Sequence, residues 1–349
     1  MKTLYYQIGL LLMLSVNSYS QFSTSLEHLE IPNTPATVLL DQSISNVENP
    51  KSVKAFTSNL INTFTKDYKV PNNYAVSFTP YFLFTKNKTF AKHHGYDLAG
   101  NYNPFHSLYS SLNLSFALVN NDTLRNISFG ITTSILKING KNKNTKYGLA
   151  KQSFAAVETY RVNNYNPLTD NFNNEGTYKT MISNFDKELE NFENTKYLFS
   201  IDLAAGYSQF ADEQTKSGKF GRLGIWSTMN YNILLNPNKT TPQYISLYFY
   251  NRFLEDETQY DVASSDYIKN SYFDTGGKIE LDFNKISFAY EYIKRTDNEE
   301  YRSIGSLKYK ISNKIALNGG FGKNFEKSNN QIGFLGINWG LDFGTTLQQ

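Results

Sequence analysis

Cysteine is absent from all 349 residues, which excludes disulfides, thiolate metal sites and cysteine nucleophiles. Histidine is scarce. The only four are His28, His93, His94 and His106, and no G-x-S-x-G elbow, H-E-x-x-H helix or P-loop occurs. A Ser-His hydrolase or a zinc protease therefore lacks its parts, and no enzymatic set and no cofactor site can be assembled. Neither sign of charge dominates: a formal net charge of +3 gives no footing for nucleic-acid binding. Long apolar runs are also missing. Beyond the N-terminus no stretch approaches the roughly 18 residues of a membrane-spanning helix, and the mean hydropathy is −0.47.

What the chain has is alternation, and aromatics in quantity, with 26 Tyr and 26 Phe. Phe273, Thr275, Gly277, Ile279, Leu281 and Phe283 interleave with Asp274, Gly276, Lys278, Glu280 and Asp282. After Asn284-Lys285 the pattern restarts with Ile286, Phe288, Tyr290 and Tyr292 against Ser287, Ala289, Glu291 and Arg295. It recurs at Gly305, Leu307, Tyr309 and Ile311 against Arg302, Ser306, Lys308 and Lys310, then at Ile315 to Phe321 and at Leu335 to Phe343. A period of two puts one set on each face of a sheet. Soluble strands run about five or six residues, whereas these run about ten to fourteen, the length that crosses a tilted bilayer. The expected fold is an all-β, antiparallel transmembrane β-barrel of about 12 strands (range 10–14), with lipid outside and charge inside.

In chain order, Met1 to Ser20 reads as a secretory signal peptide: Lys2 in the n-region, an apolar core from Ile8 to Val16, and Ser18-Tyr19-Ser20 before Gln21. Residues 21–73 form an N-terminal extension. In it Pro35 to Leu40 suggests a short extended segment, and Pro50 to Lys66 an amphipathic helix with Val53, Phe56, Leu60, Ile61 and Phe64 on one face. That helix is expected to plug the lumen or cap its mouth, with docking on a partner as the alternative. The barrel spans 74–344, followed by a tail at 345–349. Its strands are expected at Tyr74–Phe84, Leu108–Val119, Ile127–Ile138, Tyr197–Phe210, Phe220–Leu234 and Tyr244–Leu254, then in the alternating ladder.

Thr85 to Ser107 reads as a polar outer loop holding His93, His94, Asp97 and His106, where solvated histidines are a simpler reading than a metal site. Glu255-Asp256-Glu257 with Asp261 and Asp266, and Asp297 with Glu299-Glu300, read as acidic outer loops. The turns at Asn236-Pro237-Asn238, Asn284 and Asn313 fall on one side by strand parity. If the turn at Asn120 to Thr123 shares that side, a further strand is required between 140 and 196, and Tyr147 to Tyr160 is the candidate. Tyr178 to Asn194 has helical spacing in Met181, Phe185, Leu189 and Phe192, and would lie on the periplasmic side.

The best candidate site is the set of charges on the inward parity. Lys278, Glu280 and Asp282 neighbour Glu291 and Arg295, then Arg302, Lys308 and Lys310, with Arg222 and Arg252 joining from the other side. Both signs on adjacent strands imply cross-strand pairs, and the same charges are where a constriction would select solutes.

Signal peptide, alternating strands and the aromatic-rich final strand Gly333 to Phe343 resemble Gram-negative outer-membrane β-barrel proteins, of an uncharacterised kind. The segment Pro35 to Phe84 is similar to the start of such proteins. Gly344 to Gln349 departs from the pattern by extending past the usual terminal aromatic. The resemblance implies the bacterial outer membrane, contact with its lipid and lipopolysaccharide, and delivery by the barrel-assembly machinery. Function is then expected to be a small-solute channel or transporter with a partly filled lumen. The alternative is an accessory or scaffold barrel with an outer-membrane or periplasmic protein partner.

Overall fold

The computed structural model describes residues 31–40, 47–48, 73–85, 89–97, 99–120, 124–166, 171–172, 174–212, 218–237, 241–296, 300–311, 315–325 and 331–339. The expected signal peptide, the amphipathic helix carrying Val53, Phe56, Leu60 and Phe64, the turn residues Asn313 and 121–123, and the tail lie outside them.

A short helix α1 (Pro35–Leu40) comes first, then β1 (Val47–Glu48) and β2 (Asn73–Phe78). Three short helices follow, α2 (Pro80–Phe84), α3 (Phe90–His93) and α4 (Ser107–Ser110). Next come β3 (Asn113–Asn120) and β4 (Leu124–Ile138). The helix α5 (Lys141–Asn164), the small strands β5 (Tyr165–Asn166) and β6 (Asn171–Phe172), and the helix α6 (Glu175–Glu193) form an insertion. The chain then returns as β7 (Phe199–Asp212), β8 (Gly218–Leu234), β9 (Tyr244–Asp261), β10 (Asp266–Asp282), β11 (Ile286–Arg295), β12 (Tyr301–Lys310), β13 (Ile315–Lys323) and β14 (Gln331–Trp339). One sheet takes the order β1-β2-β3-β4-β7-β8-β9-β10-β11-β12-β13-β14, antiparallel throughout except for β1, which runs parallel to β2.

Several expectations change. Tyr147 to Tyr160 is helix, not strand: Tyr147, Ala150 and Val157 are buried at helical spacing, and Ala, Lys and Glu fill the rest, with no period of two. Among the described residues the antiparallel run therefore holds eleven strands, and Asn120 and Leu124, where β3 ends and β4 begins, lie at the end opposite Asn284. Ten antiparallel pairings leave β2 and β14 pointing the same way. The first strand stops at Phe78 because Pro80 opens a helix, a position where its missing N–H costs nothing. Likewise, Leu108 begins in α4 and the strand starts only at Asn113. Pro35 to Leu40 is helical, not extended. The segment 85–107 joins β2 to β3, so His93, His94 and His106 sit at the Asn284 end, not at the other. Glu255 to Asp261 is no loop but part of β9.

The sheet's two faces have opposite characters, and the usual one is inverted. Ile279, Leu281, Phe288, Tyr290, Leu307 and Phe249 lie bare, 36–52% exposed, whereas Arg252, Asp274, Arg295 and Arg302 are at most 6% exposed on the other face. Soluble antiparallel sheets bury the apolar face and wet the polar one.

Candidate functional site

The covered face is filled in layers. Toward the end opposite Asn284, Ser115, Gly130, Gly206 and Gly224 lie side by side across β3, β4, β7 and β8. This row is the seat of α1. A Cβ at Gly206 would stand 2.8 Å from Leu39 Cδ1, and one at Gly130 only 2.7 Å from the Ala36 nitrogen, so close approach requires glycine at both. Ala36 N donates to Ser115 Oγ at 3.3 Å, and Arg222 Nη1 donates to the Leu39 carbonyl at 3.0 Å. That guanidinium caps the last turn of α1, where free carbonyls favour a cation. Arg222 is itself fixed through Nε to Asp256 Oδ2 at 2.8 Å and through Nη2 to Thr258 Oγ1 at 3.0 Å.

The next layer is a buried charge cluster. Asp274, fully buried, accepts from Arg252 Nε at 3.0 Å and from Arg252 Nη2, and on its other oxygen from Arg295 Nε at 2.8 Å. The Arg295 guanidinium lies over the Tyr272 and Phe325 rings, 4.5 and 4.2 Å from their centroids. Trp226, Tyr250 and Ile293, all fully buried, complete the layer.

Beyond it, reaching the strand ends at Asp282 and Lys310, opens a cavity of about 960 Å³. Its charged lining is Lys196, Asp202, Lys278, Glu280, Asp282, Glu291, Arg302, Lys308 and Lys310. Lys196 bridges Glu280 and Asp282 at 3.1 and 3.2 Å, Lys278 stands 3.8 Å from Glu280, and Arg302 pairs with Glu291 at 3.1 Å. Asp202 accepts from the hydroxyls of Ser134 and Ser200.

Of the inward charges read from alternation, Lys278, Glu280, Asp282, Glu291, Arg302, Lys308 and Lys310 meet in this cavity. Arg222, Arg252 and Arg295 do not line it; they are consumed in the packed layers, because each has a buried carboxylate within reach. Asp274 shares the alternation of Lys278, yet only the β9–β10 register, which sets Asp274 opposite Arg252, reveals its weight. Lys196 had no signal of that kind, since it precedes its strand, whereas Asp202 shares the polar parity of Ser200 and Ser208 on β7 and was legible there but not singled out.

At the same end of the sheet, α5 and α6 pack on each other rather than on the sheet. Their root is pinned by Lys143, whose Nζ donates to the carbonyls of Phe192, at 3.0 Å, and Thr195. Burial pulls the Lys143 ammonium down to about 8. Tyr96 stacks on Tyr147 with centroids 3.5 Å apart, and its hydroxyl donates to Asn144 Oδ1. His94 packs between Phe90 and Phe192, and burial, reinforced by His93 and Lys143, drives its imidazole down to about 3. A group held neutral this firmly belongs to the packing of the arm. Among the described residues no three His, Asp or Glu converge as metal ligands. The chain matches no family model, no curated protein and no solved structure.

Proposed function

We propose that the protein is a non-enzymatic outer-membrane β-barrel whose bare face meets lipid. In this reading its partly filled lumen serves a small-solute channel or transporter, and the charged cavity is the solute vestibule. The observation that carries the reading is the inverted sheet. Leaving Leu281, Phe288 and Leu307 bare in water would be a standing aggregation hazard, whereas lipid removes that cost. Closure is supported by the cavity itself. Asn113 on β3 and Asn318 on β13 line the same space, though a flat sheet would hold strands eight spacings apart about 38 Å from each other. Because β2 and β14 run the same way, direct pairing between them would be parallel, unlike the even-stranded bacterial pattern.

Connection lengths do not orient such a barrel, since links of three and four residues occur at both ends and the two longest insertions share the Asn284 end with such short links. What supports a periplasmic Asn284 end is the opposite side. There β9 and β10 continue past the last β10–β11 pair, Asp274 with Arg295, and beyond the last β8–β9 pair, Arg222 with Asp256, run on as a two-stranded ribbon, the form a long outer loop takes. Single cysteines test this on intact cells with an impermeant thiol reagent. Val262→Cys, at the tip of that ribbon, should be labelled and Asn284→Cys shielded; the reverse pattern inverts the orientation.

A second reading, a scaffold or accessory subunit, is favoured by one feature. The α5–α6 arm leaves the sheet at the vestibule end, and its 24-residue helix is about 36 Å long. Removing 141–193 behind a short linker should release co-purifying proteins on this reading and leave solute passage unchanged; on the channel reading no partner is lost.

A further inference from the structure

We propose that the vestibule wall at Lys308 and Lys310 binds a small oxyanion, so that the solute is one carrying phosphate or carboxylate. The inference deepens the channel reading and rests on it only for the side from which the solute enters. The cavity's two signs are not evenly spent. Glu280 and Asp282 are neutralised by Lys196, with Lys278 beside Glu280, and Glu291 is neutralised by Arg302. Lys196 and Lys278 are held further by the faces of Tyr244 and Tyr248, at 5.5 and 4.3 Å.

Lys308 and Lys310 differ. Two residues apart on β12, they face the cavity together and close no ion pair within 4 Å among the described residues, although Asp282, itself bridged by Lys196, lies within electrostatic reach of Lys310. Their surroundings supply neutral donors: Asn318 stands opposite Lys308 on β13 and Ser306 is its neighbour on the same face, while the hydroxyl of Ser287, opposite it on β11, donates to Asp282 Oδ1 at 3.2 Å. Two ammonium groups, the Ser306 hydroxyl and the Asn318 amide form the kind of donor set that an oxyanion needs. Asp202, which lies within electrostatic reach of Lys137, is on β7, five strands away in the sheet, and is occupied by its two hydroxyl donors.

Inorganic phosphate is the probe, titrated into the full chain in detergent and read by phosphorus NMR linewidth and calorimetry. The parent should bind, and Lys308→Gln/Lys310→Gln should weaken binding about tenfold or more. Lys151→Gln/Lys187→Gln removes the same charge from the exposed arm and should change nothing. Neither Lys308 nor Lys310 closes an ion pair, so the double variant should keep the parent's resistance to heat unfolding, recorded on each sample. A parent that does not bind phosphate overturns the proposal, as does binding that survives the Lys308/Lys310 change or falls equally with the distal pair. Planar-bilayer recordings separate the two readings. Binding without any conductance rejects the channel and keeps the site, whereas conductance without binding or anion preference rejects the site and keeps the channel.

Discussion

At single positions the decisive quantity is what a buried charge would cost alone. Asp274 holds two guanidinium groups out of water, and neutralising it takes from buried Arg252 and Arg295 the carboxylate they share, with Glu300 remaining 3.9 Å from Arg295. Asp274→Asn should therefore destabilise the protein by about 3–5 kcal/mol, measured by urea unfolding in micelles. Glu255→Gln, on the same strand as Asp256 but paired with Lys269, a half-exposed lysine, should cost under about 1 kcal/mol. Alternation alone was enough to place Lys278, Glu280 and Asp282 on one face and Ile279 and Leu281 on the other, because a period of two has no third option. It could not say which inward charges would be spent in packing. Arg252 and Lys308 look alike along the chain; only the register across strands separates a sealed arginine from an open lysine.

Among the elements, the strands from β7 to β13 were legible and the helices were mixed. Residues 175–193 announce themselves by Phe185, Leu189 and Phe192, but α5 has a weakly ordered apolar face and its Tyr147 and Val157 also suit a strand. A helix as short as α1 carries no period at all, and exists because a trough of small residues receives it. Gly206→Val should place methyl groups against Leu39, displace α1 and cost about 1–3 kcal/mol. Trp226, packed with Leu39, should then become accessible to acrylamide quenching; unchanged quenching would deny α1 its seat.

The root of the arm has a pH dependence of known sign. His94 titrates near 3 in the fold and near 6.5 when released, so the released segment takes up the proton first. The root contact is thus complete above about pH 6.5, and each unit of acidification toward pH 3 removes at most about 1.4 kcal/mol. His93 and His106, also depressed, and the cations Lys137 and Lys143 add in the same direction. Protection factors of the amides at 89–97, each referred to the intrinsic exchange rate at that pH, should fall on acidification, and His94→Phe should flatten the fall.

For the molecule as a whole, the account depends on where its apolar face lies. The described residues hold eleven antiparallel strands, within the expected range of about 10–14, but the further strand that parity asked for between 140 and 196 is replaced by the helices at 141–164 and 175–193, and parity reasoning has no means of seeing an insertion. The assignment of faces does not depend on that count. Leu281→Arg should cost about 2–4 kcal/mol if the site lies near the bilayer midplane, whereas Lys308→Arg should be close to neutral. Heat-modifiable mobility of the folded protein in detergent reports both. The most direct measurement is a nitroxide scan of single cysteines from Lys278 to Phe283 in liposomes, comparing collisions with oxygen and with a water-soluble nickel chelate. The account predicts a period of two, with oxygen favoured at Ile279, Leu281 and Phe283 and excluded at Lys278, Glu280 and Asp282. Chelate access at Ile279 and Leu281 equal to that of a water-exposed site would contradict it.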